Sequence, residues 1–366
     1  MRILILNWRD IRSPRAGGAE VLTHEIARRL VRGGHEVTWA SSRPAGLAGR
    51  EDVDGVEVLR RGSEVTTRLS TPRLVRDPRW DVVVEEINTL PYWSPLLARS
   101  PVVLFIAQLA REVWWYEAPP WLAPIGYAVE PLFLHPYRGL PAITISESTK
   151  SDLRGLRFRG DIHVIPMAAE GEALPVLEPK RPSGRLVAVG RLVPSKRFEH
   201  ALRALAALRA QVPEATLTLV GDGPERTRLS RLAADLGLNG AVRFTGRVPE
   251  DEKRRILQEA DVVVATSVRE GWGLTVTEGA RLGTPAVAYD GPGLRDSVVD
   301  GETGVLTART PDAMAAGVAA LLHDGARYLR LRENAWRRAS LLSWDRTAAA
   351  FERTLAAAGA SPSPTR

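Results

Sequence analysis

The chain has 366 residues, enough for two domains of ordinary size, each with its own hydrophobic core. It contains no cysteine, which rules out disulfides, thiolate nucleophiles and cysteine-ligated zinc or iron–sulfur centres. The formal net charge of +7 comes from arginines dispersed along the whole chain, with lysine only at Lys150, Lys180, Lys196 and Lys253; no basic block or nucleic-acid motif accompanies it, so no nucleic-acid partner is expected. No apolar run reaches the roughly 18 residues of a spanning helix, and the N-terminus enters a strand pattern at once, so the expectation is a cytoplasmic protein without signal peptide or membrane span.

Arg2 to Asn7 is a short apolar run ending in a polar residue, as in a first parallel strand. Ala16-Gly17-Gly18-Ala19-Glu20 then leads into a helix with Leu22, Ile26 and Leu30 at four-residue spacing, stopped by Gly33-Gly34. Gly17-Gly18 is either a tight strand-to-helix turn or a phosphate-binding one, and it lacks the G-x-G-x-x-G pattern of dinucleotide folds. Further strands are predicted at His35–Ala40, Val56–Leu59, Asp81–Ile87, Val102–Ala107, Ala142–Ile145 and Ile162–Ile165. Between Trp114 and Tyr137 aromatic residues mix with prolines, a pattern of neither clean helix nor strand. Such a segment suits a bulky acceptor or peripheral contact with a membrane interface; equally, it suits a subdomain core or a seam between domains.

Gly171 to Gly184 is Pro-rich and aperiodic and reads as a linker. A second α/β series follows, with strands at Leu186–Gly190, Thr216–Gly221, Val242–Thr245, Asp261–Ser267 and Pro285–Tyr289. Helices are predicted at Phe198–Ala210, Arg226–Leu236, Lys253–Glu259, Thr275–Leu282 and Pro311–Leu322. The expected organisation is a Rossmann-like domain over 1–170, a linker over 171–184, a second Rossmann-like domain over 185–342, a terminal helix over 343–358 and a disordered tail over 359–366. Ligands of such folds bind at the carboxyl ends of the strands, here in a cleft that closes by hinge motion at the linker.

The most informative stretch is Arg269-Glu270-Gly271-Trp272-Gly273-Leu274, between the Asp261–Ser267 strand and a helix that carries Glu278. A glycine turn at a helix start offers open N–H groups and the positive end of the helix dipole to an anion. A carboxylate beside such a site repels the anion, so Glu270 and Glu278 are suited instead to accepting hydrogen bonds from sugar hydroxyls. The turn Gly190-Arg191-Leu192-Val193-Pro194-Ser195-Lys196 brings two cations, Arg191 and Lys196, to the same strand ends, and convergent positive charge is what a diphosphate requires.

Taken together, Gly17-Gly18-Ala19-Glu20, Gly190-Arg191 with Lys196, Gly221-Asp222-Gly223-Pro224, Gly246-Arg247-Val248 and the Glu-x7-Glu pair Glu270/Glu278 resemble the retaining glycosyltransferases of family 4 along nearly the whole chain. The resemblance implies a GT-B fold, an α/β architecture of two doubly wound Rossmann-like domains facing each other across a deep cleft. It implies transfer of a sugar from an NDP-sugar to a hydroxyl of a glycan, lipid-linked or small-molecule acceptor, without metal or cofactor. Glu270, Arg191 and Lys196 would be the catalytic residues. Arg191 and Lys196 would clamp the diphosphate, aided by Gly18 and the N–H groups near Gly273 and Leu274, and Gly17, Gly190, Gly221 and Gly271 would also bind the donor. Glu270 would hold the donor sugar, Glu278 the ribose, and Arg247 and Val248 would lie near the base. The acceptor side would take Gln108, Arg111, Glu112, Trp114 and Trp115. One departure stands out: Ala107 occupies the place where related sequences carry a histidine toward the donor sugar. An NDP-sugar epimerase of the same fold and a non-catalytic nucleotide-sugar-binding protein are the competing readings.

Overall fold

The computed structural model describes residues 1–360; Gly359 and Ala360 close the last helix, and the remainder of the expected tail lies outside the described residues. Strands are numbered β1–β14 and helices α1–α13 along the chain. Two compact units form. The first comprises Met1–Arg111, Pro124–Met167 and the chain from Ser343 onward; the second comprises Glu112–Ala123 and Ala168–Leu342.

Unit one is built on an eight-stranded sheet of order β3-β4-β2-β1-β5-β6-β7-β8. Its strands are β1 (Arg2–Leu6), β2 (Glu36–Ser41), β3 (Arg50–Val53), β4 (Val56–Arg60), β5 (Val82–Glu86), β6 (Val102–Phe105), β7 (Ala142–Thr144) and β8 (Ile162–Val164). All pairs are parallel except β3 with β4. Helices α1 (Gly18–Arg32), α2 (Thr67–Val75), α4 (Ala123–Phe133), α5 (Glu147–Gly155) and α13 (Trp344–Ala360) complete the unit. The parallel strands are buried on both faces, as continuous apolar runs such as Ile3–Leu6 demand. The terminal helix, expected as a separate element, is part of this unit: Phe351 packs edge-on against Phe105 and Thr347 Oγ1 donates to the Pro166 carbonyl at 2.9 Å. The aromatic stretch, expected to be irregular, contains the helix α4. Pro124 falls in its first turn, where a missing N–H costs nothing, and Pro131 near its end.

Unit two is a six-stranded, wholly parallel sheet of order β11-β10-β9-β12-β13-β14. Its strands are β9 (Arg185–Val189), β10 (Thr216–Val220), β11 (Val242–Gly246), β12 (Val262–Ala265), β13 (Ala286–Tyr289) and β14 (Gly304–Thr307). Its helices are α3 (Trp114–Glu117), α6 (Phe198–Leu208), α7 (Arg226–Asp235), α8 (Glu250–Glu259), α9 (Leu274–Arg281), α10 (Leu294–Ser297), α11 (Pro311–His323) and α12 (Gly325–Ser340). The stretch expected to be a linker, Gly171 to Gly184, lies within this unit. An extended Pro-rich chain leaves its carbonyls unpaired, and side chains of the unit take them: Trp336 Nε1 donates to Leu174 O at 2.9 Å and Arg332 Nη1 to Glu178 O at 2.8 Å. Lys180 in turn donates to Gln258 O and Ala260 O at the end of α8, and burial pulls its pKa down to about 8.

Strand order reverses between β1 and β5 in unit one and between β9 and β12 in unit two, and a doubly wound sheet opens a crevice at such a point. In unit one the reversal is lined by Asn7 and Glu86, joined by a 2.7 Å hydrogen bond from Asn7 Nδ2, with Thr23 also donating to Glu86. Burial raises the Glu86 pKa to about 8 despite these bonds, and the charge of Glu20 adds to the rise. The folded chain therefore keeps a proton on Glu86 between about pH 4.5 and 8, where the unfolded chain has released it. This contribution to stability is complete at low pH and is lost as pH rises toward 8. Glu86→Gln, which cannot ionise, should lose less stability than the parent over that window, with a gap of about 1 kcal/mol or more at pH 8. Thermal melts of both proteins at pH 5 and pH 8 check it, and parallel pH profiles would refute it.

Candidate active site

The strand reversal in unit two brings two loops together. β9 and β12 are direct neighbours, with Val187 opposite Val263, so the chain leaving β9 toward Lys196 meets the chain leaving β12 toward Glu270. Val268 N donates to Ser195 O at 2.9 Å, and Thr266 Oγ1 donates to Lys196 O at 2.9 Å. Across this seam Lys196 Nζ donates to Glu270 Oε1, which also accepts from Ser267 Oγ at 2.6 Å. Glu270 Oε2 has no partner among the described residues and remains available to a ligand hydroxyl. The Lys196 and Glu270 side chains are 27% and 20% exposed, so the pair is shielded yet reachable.

Glycines set the backbone around this pair. Gly293 has φ +79°, and a Cβ there would fall 2.1 Å from the Glu270 carbonyl oxygen, while Glu270 N donates to Pro292 O at 3.0 Å. Only a residue without a side chain lets the 291–293 turn support Glu270 from behind. Gly221, expected to touch the donor, has a supporting role of the same kind, since its Cβ would lie 2.1 Å from Gly190 O and its absence admits the β9 loop against the end of β10. Gly273, at φ +89°, caps α9, and Trp272 Nε1 donates to Thr277 Oγ1 at 2.8 Å, fixing the turn to the helix it opens. The N–H groups of Leu274 and Thr275 have no partner within the helix and follow the Gly271–Gly273 turn directly, whereas Val276 N donates to Gly273 O at 2.9 Å.

The second carboxylate has a partner the sequence did not single out. Glu278 Oε1 accepts from Lys253 Nζ at 2.9 Å, and Lys253 also reaches Glu250 at 2.8 Å. Burial pulls the Lys253 pKa down, but the two carboxylates outweigh it and the net direction is upward. The two glutamates thus face two of the four lysines in an arginine-rich chain, and that scarcity was the available signal for Lys253. Arg191 is exposed, and its side chain has no ion-pair or hydrogen-bond partner among the described residues. Arg247 is exposed, and Val248 packs partly buried against the core of the unit.

The residues expected on the acceptor side fall in both units. Gly17 and Gly18, expected instead on the donor, open α1 in unit one, where the Gly17 N–H already donates to Glu20 at 2.7 Å; the turn is capped by its own carboxylate. Gln108 Oε1 is buried and unpaired, and Ala107 O accepts from Thr149 Oγ1 at 3.1 Å. Arg111 turns the chain at φ +38° and is tied down by Glu130, which accepts its N–H at 2.8 Å, and by Tyr127, whose ring it covers at 4.3 Å. Glu112, Trp114 and Trp115 belong to unit two. Glu112 accepts from Arg269 Nε at 2.8 Å, and Glu117 accepts from Ser195 Oγ at 2.5 Å. Trp115 and Trp121 are largely exposed, whereas Tyr137 is fully buried, so the aromatic stretch divides between surface and core.

Residues 16–170 match the family described as Glycosyltransferase Family 4, and residues 172–338 match Glycosyl transferases group 1. The chain is 27% identical over 398 residues to a glycogen synthase of Mycobacterium tuberculosis (strain CDC 1551 / Oshkosh), covering 98% of this chain and 95% of that protein. It is 38% identical over 175 residues to D-inositol 3-phosphate glycosyltransferase 2 of Catenulispora acidiphila, covering 45% of this chain and 41% of the relative. Its structure resembles that of Anabaena HepE in complex with UDP-glucose, with a TM-score of 0.74 and 19% identity over 98% of this chain and all of that one. Two α/β units with mainly parallel sheets carry the GT-B fold, and the family matches make the chain a glycosyltransferase. The chain belongs to the family 4 glycosyltransferases.

Because Gly293 supports the Glu270 backbone, Gly293→Ala should displace the carboxylate from Lys196. Turnover should fall at least about tenfold, with a stability loss of about 1–3 kcal/mol from the strained φ. Steady-state kinetics and a melting curve measured together check this, and unaltered kinetics would contradict it.

Proposed function

We propose that this glycosyltransferase is a retaining enzyme that takes a sugar from a nucleoside diphosphate donor and passes it to an acceptor hydroxyl. The observation that carries the reading is the Lys196–Glu270 pair at the β9/β12 reversal, next to the start of α9. In this reading Lys196, Arg191 and the first N–H groups of α9 receive the diphosphate and offset the charge that builds on it as it leaves. Glu270 Oε2 accepts from a hydroxyl of the donor sugar, and Glu278, oriented by Lys253, accepts from the ribose. Arg247 and Val248 border the base. The leaving diphosphate oxygen takes the acceptor proton on the face it departs from, so the anomeric configuration is kept and no protein nucleophile is required. Since cations and helix N–H groups carry the charge compensation, no metal is part of the proposal, and a chelator should leave the rate unchanged.

UDP-glucose, the ligand of the Anabaena protein, is the first donor to test. The exposed Trp115 and Trp121 suit an acceptor with a large apolar part, such as a lipid-linked one, and no helix among the described residues is long and apolar enough to cross a membrane. A second reading, a protein that binds nucleotide sugars without turning them over, draws support from Ala107, whose methyl group cannot donate to the donor sugar.

Release of free nucleoside diphosphate from a panel of UDP-, GDP-, dTDP- and ADP-sugars decides between them. Slow release from one donor supports the transferase, and the anomeric configuration of its product, read by NMR, tests retention. Silence across the panel, with nucleotides still raising the melting temperature, supports the binder. Lys196→Ala and Glu270→Ala should each lower turnover at least about tenfold in a folded protein, because both contacts strengthen as the diphosphate leaves. Near-normal rates in both variants would remove this site from the reaction.

A further inference from the structure

The segment Glu112–Ala123 leaves unit one at Arg111 and returns to it at Pro124, yet it is part of unit two. Two of its contacts fall on residues only one position from the reacting pair. Glu117 takes the hydroxyl of Ser195, which directly precedes Lys196. Glu112 takes the guanidinium of Arg269, which directly precedes Glu270. Both acceptors are carboxylates, which make short, strong hydrogen bonds. The Arg269 side chain is only 4% exposed, and removing the carboxylate paired with a buried guanidinium is costly. Both carboxylates belong to one short stretch, the 3₁₀ turn Arg111–Val113 and the single helical turn Trp114–Glu117. One rigid piece therefore holds both loops of the site at once.

We propose that Glu112 and Glu117 are positioning residues for glycosyl transfer: the 112–117 arm clamps the Lys196 loop to the Glu270 loop and keeps their side chains in reacting geometry. This deepens the transferase reading and rests on it. The backbone seam of Val268 to Ser195 and Thr266 to Lys196 brings the loops together. The arm adds a grip on each side of that seam, through the residues that adjoin Lys196 and Glu270. Displacements well under a hydrogen-bond length at such a pair are enough to slow a reaction, while binding of the nucleotide, shared with other groups, is preserved. The arm therefore acts on kcat more than on donor KM.

Full-length Glu112→Ala, Glu117→Ala and Glu117→Gln test this. Gln at 117 still offers an oxygen to Ser195, so it should restore most of the activity that Ala removes. Each Ala variant should lose about tenfold in kcat with donor KM within about twofold, and amide hydrogen exchange should quicken at residues 194–197 and 268–271. Wild-type kcat in both Ala variants, or a loss that Glu117→Gln shares and that follows melting temperature alone, would overturn the proposal. If the wild-type protein releases nucleoside diphosphate from no donor, the transferase reading fails by itself. The exchange measurement still decides the arm: unchanged exchange in both segments refutes the clamp, and faster exchange confined to them supports it.

Discussion

The contact between Lys196 and Glu270 depends on one topological fact, the adjacency of β9 and β12, and most of unit two serves it. Residues 74 positions apart meet because both lie just past the carboxyl ends of neighbouring parallel strands. The pair is too exposed to add much to stability, since partly solvated ion pairs gain little after desolvation and side-chain entropy are counted. Its value is preorganisation. An ammonium held beside a carboxylate is kept in place, and in the proposed reaction an arriving diphosphate would meet a cation that needs no rearrangement. Gly293, Gly221 and Trp272 are best understood as supports of this contact.

Lysine and arginine divide the work. Of the four lysines, Lys196 and Lys253 face the two glutamates, and Lys180 closes the end of α8. An ammonium is a compact charge with rotatable donors and fits between a carboxylate and a ligand in a confined space, whereas a planar guanidinium demands a fork-shaped partner. At Lys196 and Lys253 the lysine stands where that compactness matters, whereas Lys150 makes only a surface pair with Glu147. Arginine is used where a fixed fork suits the surroundings, as for Arg332 and Arg281 holding carbonyls of the 168–184 stretch.

The parallel strands were legible because strands buried on both faces must be apolar throughout, and the glycine turns because a strand-to-helix turn restricts which residues can stand in it. Elements with mixed composition were not. β3 reads Arg-Glu-Asp-Val and has no alternation to betray it, although the Asp54-Gly55 turn that pairs it with β4 is a standard hairpin signal, and both residues have positive φ. Helix α12 buries Tyr328, Leu331, Ala335 and Ala339 at helical spacing, but the charged residues between them mask the period. Glu270, Glu278, Lys196 and Arg191 were recognisable from local motif and charge. Lys253 was not, because its contact with Glu278 spans 25 positions and no local pattern encodes it.

The aromatic segment shows the same limit from the other side. Its composition admitted either a recognition surface or a packed core, and the structure divides it between exposed and buried positions. Tyr137 is buried in unit one, where its hydroxyl donates to Glu85 at 2.6 Å, and Phe133 meets Trp93 edge-on at 5.8 Å. Trp115 and Trp121 stay exposed. The segment also carries a pair of carboxylates, Glu112 and Glu117, which look ordinary among aromatic neighbours. Their partners, Arg269 and Ser195, are 157 and 78 positions away and each adjoins a residue of the central pair. A segment that composition describes only as apolar is therefore tied by its few charges to the loops that carry Ser195 and Arg269.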